Sequence, residues 1–579
     1  MQFLKKYWNV SFLVSNVLIP LVVLAVYCGT FAYLSDMYLP DVGVNYVFAI
    51  RLFKYSMPML VGVFLVILVQ TKFIKKERFS FKNPLEKLSL ADSFLLLLPI
   101  TPVVQYIILN RGILSVIESI YLLAIFLLFS GMLIYVIPVL IGFVSSTWTL
   151  MLLGSAFSFT ITSMASISQY FSWFEKGSFR IQLIILGGVF LICWFLYHFN
   201  NKNFLRLLVV VIFVANTTII LMSQGGKTDS TPIPLSNVEN SLYSLVEDRK
   251  PVSTPNIYLL VYDAYAPAET MLGYGIDNHS QEDYIKSLGF DIYPKTYSVG
   301  ASTLESMGRV LNISTEFYGD IRRAVSGDGI VQNILENLGY KTYGIFPSDF
   351  FFRGLDSTYD FSIPEKSSPV TLLLNAILIG EFRSDIGFDL QSEQQFLETK
   401  QTIFEVISGE RAFIYMHSHL PGHSQNSGVC LSDEVNQYRL RLESANLEMR
   451  QDINTITNAD PDAIIIVTSD HGPYLTKNCI ATGGTFDISE ISRLDIQDRF
   501  GTFLAIRWPT NDFANYDDID VLQDLFPVIF AYMYQDEGIL ESKIEPKTIT
   551  PGVISGVEVI NGIIFGGIDD GEVLFLSDR

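Results

Sequence analysis

Val467-Thr468-Ser469-Asp470-His471-Gly472 places a carboxylate and an imidazole side by side at the end of the apolar run Ala463–Val467. Such a run, preceded by Asp460-Pro461-Asp462, reads as a buried strand after a turn. A strand in an α/β sheet delivers its last residues to the carboxyl edge, where ligands bind. Asp470 and His471 can both face one ion only there, where the alternation of faces breaks down, and Gly472 lets the chain turn away. Oxygen plus nitrogen suits Zn or Mn better than Mg or Ca. The alternative is a turn with Asp470 as a helix cap and His471 exposed.

Asn256–Asp263 (NIYLLVYD) is a second β-rich run that ends in an acid, so Asp263 occupies the same kind of position as Asp470. Ser302 and Glu305 have capping-box spacing, which starts a helix at Ser302 and puts Thr303 in its first turn. A hydroxyl at a helix N-terminus beside a metal can attack phosphorus, because the cation lowers its pKa and the free N–H groups hold the oxyanion. Ordinary capping is the alternative, and Ser302 and Ser306 are competing hydroxyls. Phe413–His423 holds three of the six histidines, His417, His419 and His423, which suggests metal or phosphate contacts. His417 and His419 share a face if the strand persists, and His423 lies past the Pro421-Gly422 turn.

The elements that must position these groups are legible as a pattern. Strand-like runs at 256–263, 340–346, 412–417, 463–467 and 500–508 alternate with helical stretches at 329–338, 400–408, 433–458 and 518–534. Alternation of this kind implies a mainly parallel sheet covered by helices on both faces. The acids and arginines of the 433–458 stretch read as a solvated face. Residues 553–576 alternate and are Gly-rich, as in a terminal β-hairpin.

The first 224 residues are different. They hold 15 Lys and Arg against 7 Asp and Glu, whereas the rest of the chain holds 24 against 52. Mean hydropathy over the 579 residues is +0.35. Apolar runs of spanning length begin at about Phe12–Tyr33, Tyr55–Thr71, Ser93–Leu109, Val116–Phe143, Trp148–Tyr170, Ile181–Phe199 and Leu207–Met222. Seven spans put Lys5 and Lys6, the cluster from Lys72 to Lys87, and Lys202 and Arg206 in the cytoplasm. Everything after Met222 then lies outside it. Arg51, Lys54, Arg111, Lys176 and Arg180 run against this scheme. Glu118 is the only acid within a span, as a polar contact, a headgroup-level residue or a functional group.

The expected organisation is a transmembrane domain over 1–224 and a linker over 225–255, with a short amphipathic helix near 238–246 resting on the membrane. A catalytic α/β domain over 256–545 and a hairpin extension over 546–579 follow. The acidic second half argues against nucleic acid as a partner. Cys28 and Cys193 read as core thiols. Cys430 and Cys479 are candidates for a disulfide in an exported domain, closing a loop worth about 3–4 kcal/mol in the chain-entropy model. Two separate buried thiols are the alternative.

The set Val261-Tyr262-Asp263, Ser302-Thr303, His417 to His423 and Ser469-Asp470-His471-Gly472 resembles the alkaline phosphatase superfamily. Within it, the chain looks like the membrane-anchored sulfatase-like branch of bacterial envelopes, which includes phosphoethanolamine and phosphoglycerol transferases and lipoteichoic acid synthases. The resemblance covers roughly residues 256–509. It implies an alkaline phosphatase-like fold and a divalent metal held by Asp263, Thr303, Asp470 and His471, with Thr303 as nucleophile. It places His417, His419 or His423 on the transferred group or a second metal. Envelope transferases usually have Glu where this chain has Asp263, and the third motif has its histidine one residue late.

The sulfatase signature is absent from Ala301–Arg309, which argues against sulfate ester hydrolysis. The expected activity is transfer of a substituted phosphate from a phospholipid donor to an envelope glycan or lipid through a phospho-threonine. The expected location is the bacterial inner membrane, multi-pass, with the catalytic domain extracytoplasmic. A hydrolase with the same site, and a non-catalytic sensor or assembly protein, are the alternatives.

Overall fold

The computed structural model describes residues 18–20, 22–27, 90–109, 114–141, 147–170, 179–199, 202–224, 240–352, 357–364, 391–407, 410–424, 433–477, 486–549, 554 and 556–576. The expected span at 55–71, most of that at 12–33, and Cys28, Cys430 and Cys479 lie outside them. Two compact units are present, one over Met1–Asp229 and one over Ser230–Lys366 and Asp389–Arg579.

The first unit is helical: α1 (Leu97–Leu109), α2 (Val116–Gly131), α3 (Ile137–Ile141), α4 (Thr147–Tyr170), α5 (Phe179–Phe199) and α6 (Lys202–Gln224). Among the described residues two stretches, where the sequence offers seven runs, are long and apolar enough to cross a membrane: Val116–Leu140 with a hydropathy of 2.6 and Asn203–Met222 with 2.4. Both turn large apolar residues outward, among them Leu128, Leu207 and Met222. Shorter apolar helices cover Asp92–Ile108 and Ile185–Leu196.

A π-helical turn, Met132–Val136, joins α2 to α3. A π turn breaks the regular i→i−4 pairing, and the Leu133 carbonyl there accepts from the Tyr27 hydroxyl at 3.1 Å. Gly154 of α4 faces the same carbonyl, and a Cβ there would run into it. Glu118 is a capping residue: its carboxylate accepts from the Ser115 N–H at 2.9 Å while Ser115 Oγ accepts from the Glu118 N–H at 3.2 Å. Arg206 pairs with the buried Asp92 at 2.7 Å.

The second unit begins with α7 (Ser241–Val246) and β1 (Ile257–Tyr262). There follow α8 (Ala268–Gly273), α9 (His279–Ser287), β2 (Asp291–Ile292), α10 (Thr303–Asn312), α11 (Ile330–Asn337), β3 (Lys341–Ile345), β4 (Phe361–Ile363) and α12 (Glu393–Val406). The chain continues through β5 (Ala412–Ser418), α13 (Glu434–Ala459), β6 (Ile464–Thr468), α14 (Arg493–Phe500), β7 (Leu504–Arg507), α15 (Leu525–Tyr534), β8 (Glu558–Ile560) and β9 (Ile563–Phe565).

Seven strands form one sheet in the order β2-β7-β6-β1-β5-β3-β4. β6, β1, β5, β3 and β4 run parallel, and β7 is antiparallel to β6. Central β1 is buried on both faces, as its unbroken apolar run requires. Ile257, Leu259 and Val261 join the core that includes residues of α7, α10, α11 and α15. Tyr258, Leu260 and Tyr262 join the core formed with α9, α12 and α13. The sheet is thus sandwiched by helices.

Four local expectations are corrected. α7 is not a membrane-surface helix, because Leu242 and Val246 are buried in the α/β core. The strand expected from Phe500 begins only at Leu504, because Phe500 closes α14. The helix expected from Asp518 begins at Leu525, after a 3-10 turn at Leu522–Asp524. The α13 acids are not all solvated: Glu448 and Asp452 are buried against Lys400 of α12, whose Nζ lies 2.5 and 2.7 Å from their carboxylates. Tyr262 donates to Asp452 at 2.7 Å and Ser418 to Glu448 at 3.1 Å. The terminal hairpin, read over 553–576, pairs only Glu558–Ile560 with Ile563–Phe565; this end of the chain packs on the segment that leads into α10, with Val559, Ile564 and Leu574 against Tyr297, Val299 and Ala301.

Removing one partner of a buried ion cluster leaves an uncompensated charge, at a cost of about 3–5 kcal/mol. Lys400→Met is expected to lower the denaturation midpoint of the full-length protein accordingly, and Lys400→Met with Glu448→Gln and Asp452→Asn to recover most of it. A single variant as stable as wild type in chemical denaturation would contradict this assignment.

Candidate active site

Parallel register brings the chemistry together. Val261 of β1 lies opposite His417 of β5 and Thr468 of β6, so Asp263, His417 and Asp470 emerge at one carboxyl edge. Past β1 the Asp263 N–H donates to the Ser418 carbonyl at 3.0 Å, and the Asp263 carbonyl accepts from the Gly422 N–H at 2.9 Å. Ala264 then turns the chain at φ +59°, and its N–H donates to Asp470 Oδ1 at 3.1 Å. Past β6 the chain leaves through Gly472, where a Cβ would run into the Asp498 carbonyl. The glycine is required by this close approach of α14.

Thr303 reaches the same point from the first turn of α10. Its Oγ1 lies 3.3 Å from His471 Nε2. That nitrogen is 3.5 Å from Asp263 Oδ1 and 3.4 Å from Asp470 Oδ2. His417 Nε2 is 3.7 Å from Asp470 Oδ2. One ligand atom each of Asp263, His417 and Asp470 lies within 4.8 Å of the others. Because His471 Nδ1 donates to the Gly472 carbonyl at 2.8 Å, the lone pair sits on Nε2 and faces the carboxylates. His417 Nδ1 is held by the Tyr415 hydroxyl at 3.0 Å, two residues back on the same strand face.

Asp263 Oδ1 and Asp470 Oδ2 are buried and have no hydrogen-bond partner among the described residues. Two orphaned carboxylate oxygens beside two imidazole nitrogens are the donor set a borderline divalent cation takes. Burial pushes the Asp263 carboxyl well above its usual range, the Asp470 charge adds to this, and Arg441 opposes it. Burial also pushes Asp470 up. The two imidazoles, a hydrogen bond from Thr303 and the Ala264 N–H outweigh burial and hold it below the usual value. Burial lowers both His417 and His471 to about 4, against the pull of Asp470. A cation among these groups would reverse the Asp263 shift.

The structure therefore brings Asp263, Thr303, Asp470 and His471 together and adds His417, which the sequence placed on the substrate or a second metal. It does not bring in His419, which is exposed because β5 ends at Ser418. His423 borders the site, its ring 6.0 Å from that of His471 and its Nδ1 donating to the Ser424 carbonyl at 3.0 Å. Of the competing hydroxyls, Ser306 is buried against Ser298 at 2.6 Å. Ser302 sits at the N-cap, but the expected capping box does not form, since Ser302 makes no capping hydrogen bond. Glu305 instead accepts from the Ala301 N–H at 3.4 Å.

Sequence reasoning missed Tyr415, Tyr474 and Arg441. Tyr415 had a signal, its i,i+2 spacing to His417. Arg441 grips the loop before His423 by the Pro421 carbonyl at 2.6 Å and had none.

No family model and no curated protein matches the chain. Among solved structures it is similar to the C-terminal periplasmic domain of EcEptC from Escherichia coli in complex with Zn. That likeness has 13% identity and a TM-score of 0.36 over 54% of this chain and 94% of the other. It is also similar to the integral membrane protein lipooligosaccharide phosphoethanolamine transferase A from Neisseria meningitidis, at 15% identity and a TM-score of 0.35 over 90% and 95%. A protein in the alkaline phosphatase superfamily from Vibrio parahaemolyticus gives 14% identity and a TM-score of 0.33 over 49% and 67%.

The two depressed histidines set a pH dependence. The unfolded chain takes up protons near the ordinary value of 6.5, whereas folded His417 and His471 do so only near 4. Their contribution to the metal-free protein is full above about pH 6.5 and is lost as pH falls towards 4. Thermal unfolding in chelator across this window is expected to show a falling midpoint, and His417→Gln a shallower fall. Equal slopes in both proteins would contradict the burial of a neutral His417.

Proposed function

We propose that this chain is a multi-pass membrane enzyme of the alkaline phosphatase superfamily, with its α/β unit on the extracytoplasmic side of a bacterial inner membrane. It transfers a substituted phosphate, phosphoethanolamine or phosphoglycerol, from a phospholipid to an envelope glycan or lipid. The observation that carries this reading is the Thr303 hydroxyl, at a helix N-terminus and 3.3 Å from His471 Nε2, the nitrogen that also faces Asp263 and Asp470. The two apolar stretches long enough to span a bilayer and the basic clusters of the first 224 residues support the membrane placement.

Asp263, Thr303, Asp470, His471 and His417 would hold the divalent cation, Zn or Mn, which supplies charge neutralisation at phosphorus and a lowered pKa for the hydroxyl. Thr303 Oγ1 attacks the phosphodiester. Its proton has an acceptor in the neighbouring Asp470 carboxylate, which the Thr303 hydroxyl helps to hold ionised. A Thr303–O–P bond forms, and the P–O bond to the glycerol of the lipid breaks. The departing diacylglycerol takes up a proton. N–H groups of the first turn of α10 face the non-bridging oxygens. His423, at the rim, contacts the transferred group. An acceptor hydroxyl then attacks the same phosphorus, and Thr303 leaves and regains its proton. Splitting one hard substitution into two lets a single pocket serve donor and acceptor in turn.

Thr303→Ala is expected to lower transfer by at least about 10³-fold while leaving zinc content near wild type. Mass spectrometry of envelope glycans and lipids, with metal analysis of the purified protein, checks both. Unchanged transfer would remove Thr303 as nucleophile; released headgroup phosphate with no modified acceptor would make the enzyme a hydrolase. Asp470→Asn and His471→Ala are expected to lose bound zinc. Full zinc occupancy in either variant would contradict the ligand set.

A further inference from the structure

Tyr474 stands in the loop that leaves β6 at φ +56°, a left-handed conformation that aromatic residues rarely adopt. Such a conformation persists only where the surroundings fix it, and outliers of this kind gather at functional sites. Asp498 of α14 supplies the fixing. Its carbonyl takes the Tyr474 N–H at 3.3 Å, and its carboxylate takes the N–H groups of Leu475 at 2.7 Å and Thr476 at 3.2 Å. Tyr274 donates to the same carboxylate.

So held, the Tyr474 side chain reaches two parts of the site at once. Its ring lies parallel to the His471 imidazole, with centroids 4.6 Å apart and planes 9° from each other. Its hydroxyl donates to the carbonyl of Ala301, two residues before Thr303. The Arg499 guanidinium carbon sits 4.1 Å from the ring centre. Arg499 is buried, and its Nε and Nη1 have no hydrogen-bond partner among the described residues. The ring face is therefore what this cation rests on, and the ring is held in turn.

The geometry points to Tyr474 as a positioning residue for the transfer: its ring fixes the plane of His471, and its hydroxyl fixes the Ala301–Thr303 loop at reacting distance. This inference rests on the proposed roles of His471 and Thr303 and adds a joint between them. The two halves of the site come from chain segments 168 residues apart, and the distance to be kept is that of Thr303 Oγ1 to His471 Nε2, 3.3 Å. Misplacement of a nucleophile by about 1 Å costs on the order of 10²-fold in rate. Loss of a group that orients a metal-ligating imidazole costs about 10–100-fold in metal affinity or activity.

The two roles separate by substitution, because phenylalanine keeps the ring and discards the hydroxyl, and leucine discards both. Full-length wild type, Tyr474→Phe and Tyr474→Leu are compared by zinc affinity, in competition with a chromophoric chelator, and by kcat and KM on a p-nitrophenyl phosphodiester. Y474F is expected to bind zinc like wild type, with KM unchanged and kcat down at least about tenfold. Y474L is expected to lose zinc affinity by about tenfold or more as well, so that Y474F restores what Y474L loses. A wild-type kcat in Y474F, wild-type zinc affinity in Y474L, or equal loss of zinc in both would overturn the inference and leave the functional reading standing. A wild-type protein that neither binds zinc nor turns over would overturn both.

Discussion

Two carboxylates that ought to repel each other turn a buried oxygen each towards one point at the end of a parallel sheet, and the rest of the α/β unit follows from that. Asp263 and Asp470 each keep an oxygen with no hydrogen-bond partner among the described residues, within 3.5 Å of the same imidazole nitrogen. An apolar sheet gains nothing from such a pair unless a cation joins it. The burial that drives Asp263 towards its protonated form also keeps His417 and His471 neutral, and neutral nitrogens are what a metal ion requires.

The fold supplies the pair by register more than by local chemistry. Six buried residues of β1 lock it between β5 and β6, so the residues that follow Tyr262 and Thr468 come out side by side. The edge is then stiffened from three directions. α14 crowds Gly472 and clamps the Tyr474 loop through Asp498. The Lys400 cluster ties Tyr262 and Ser418, the neighbours of Asp263 and His417, to α13. The terminal hairpin packs on the segment that carries Thr303, with Tyr297 bonded to the Pro546 carbonyl at 2.8 Å and to the Gly562 N–H at 3.1 Å.

Asp263, Asp470 and His471 were legible in the sequence because an acid at the end of a β-branched run has few places to go. The mainly parallel sheet was legible from the alternation of strand-like and helical stretches. Thr303 was legible as the start of a helix, although the mechanism of that start was misread. Ser302 and Glu305 have capping-box spacing, yet the loop is held from outside by Tyr474, 173 residues away, and the box does not close. Glu448 and Asp452 looked like a solvated stripe because helix periodicity gives the face of a residue and not its partner, and Lys400 lies on another helix. The extent of strand β5 decided the histidines: one residue more would have turned His419 inward beside His417, but the strand stops at Ser418. Of the seven apolar runs that the sequence offers as spans, two among the described residues, Val116–Leu140 and Asn203–Met222, are long and apolar enough to cross a membrane.

The claim at the centre is a cation held by oxygen and imidazole nitrogen at the joined ends of β1, β5 and β6. Zinc-edge X-ray absorption on the purified, zinc-loaded full-length protein reads that shell directly. The account predicts oxygen and nitrogen neighbours at about 2.0–2.2 Å and outer-shell scattering from two imidazoles. A sulfur shell, or a spectrum without imidazole scattering, would contradict it.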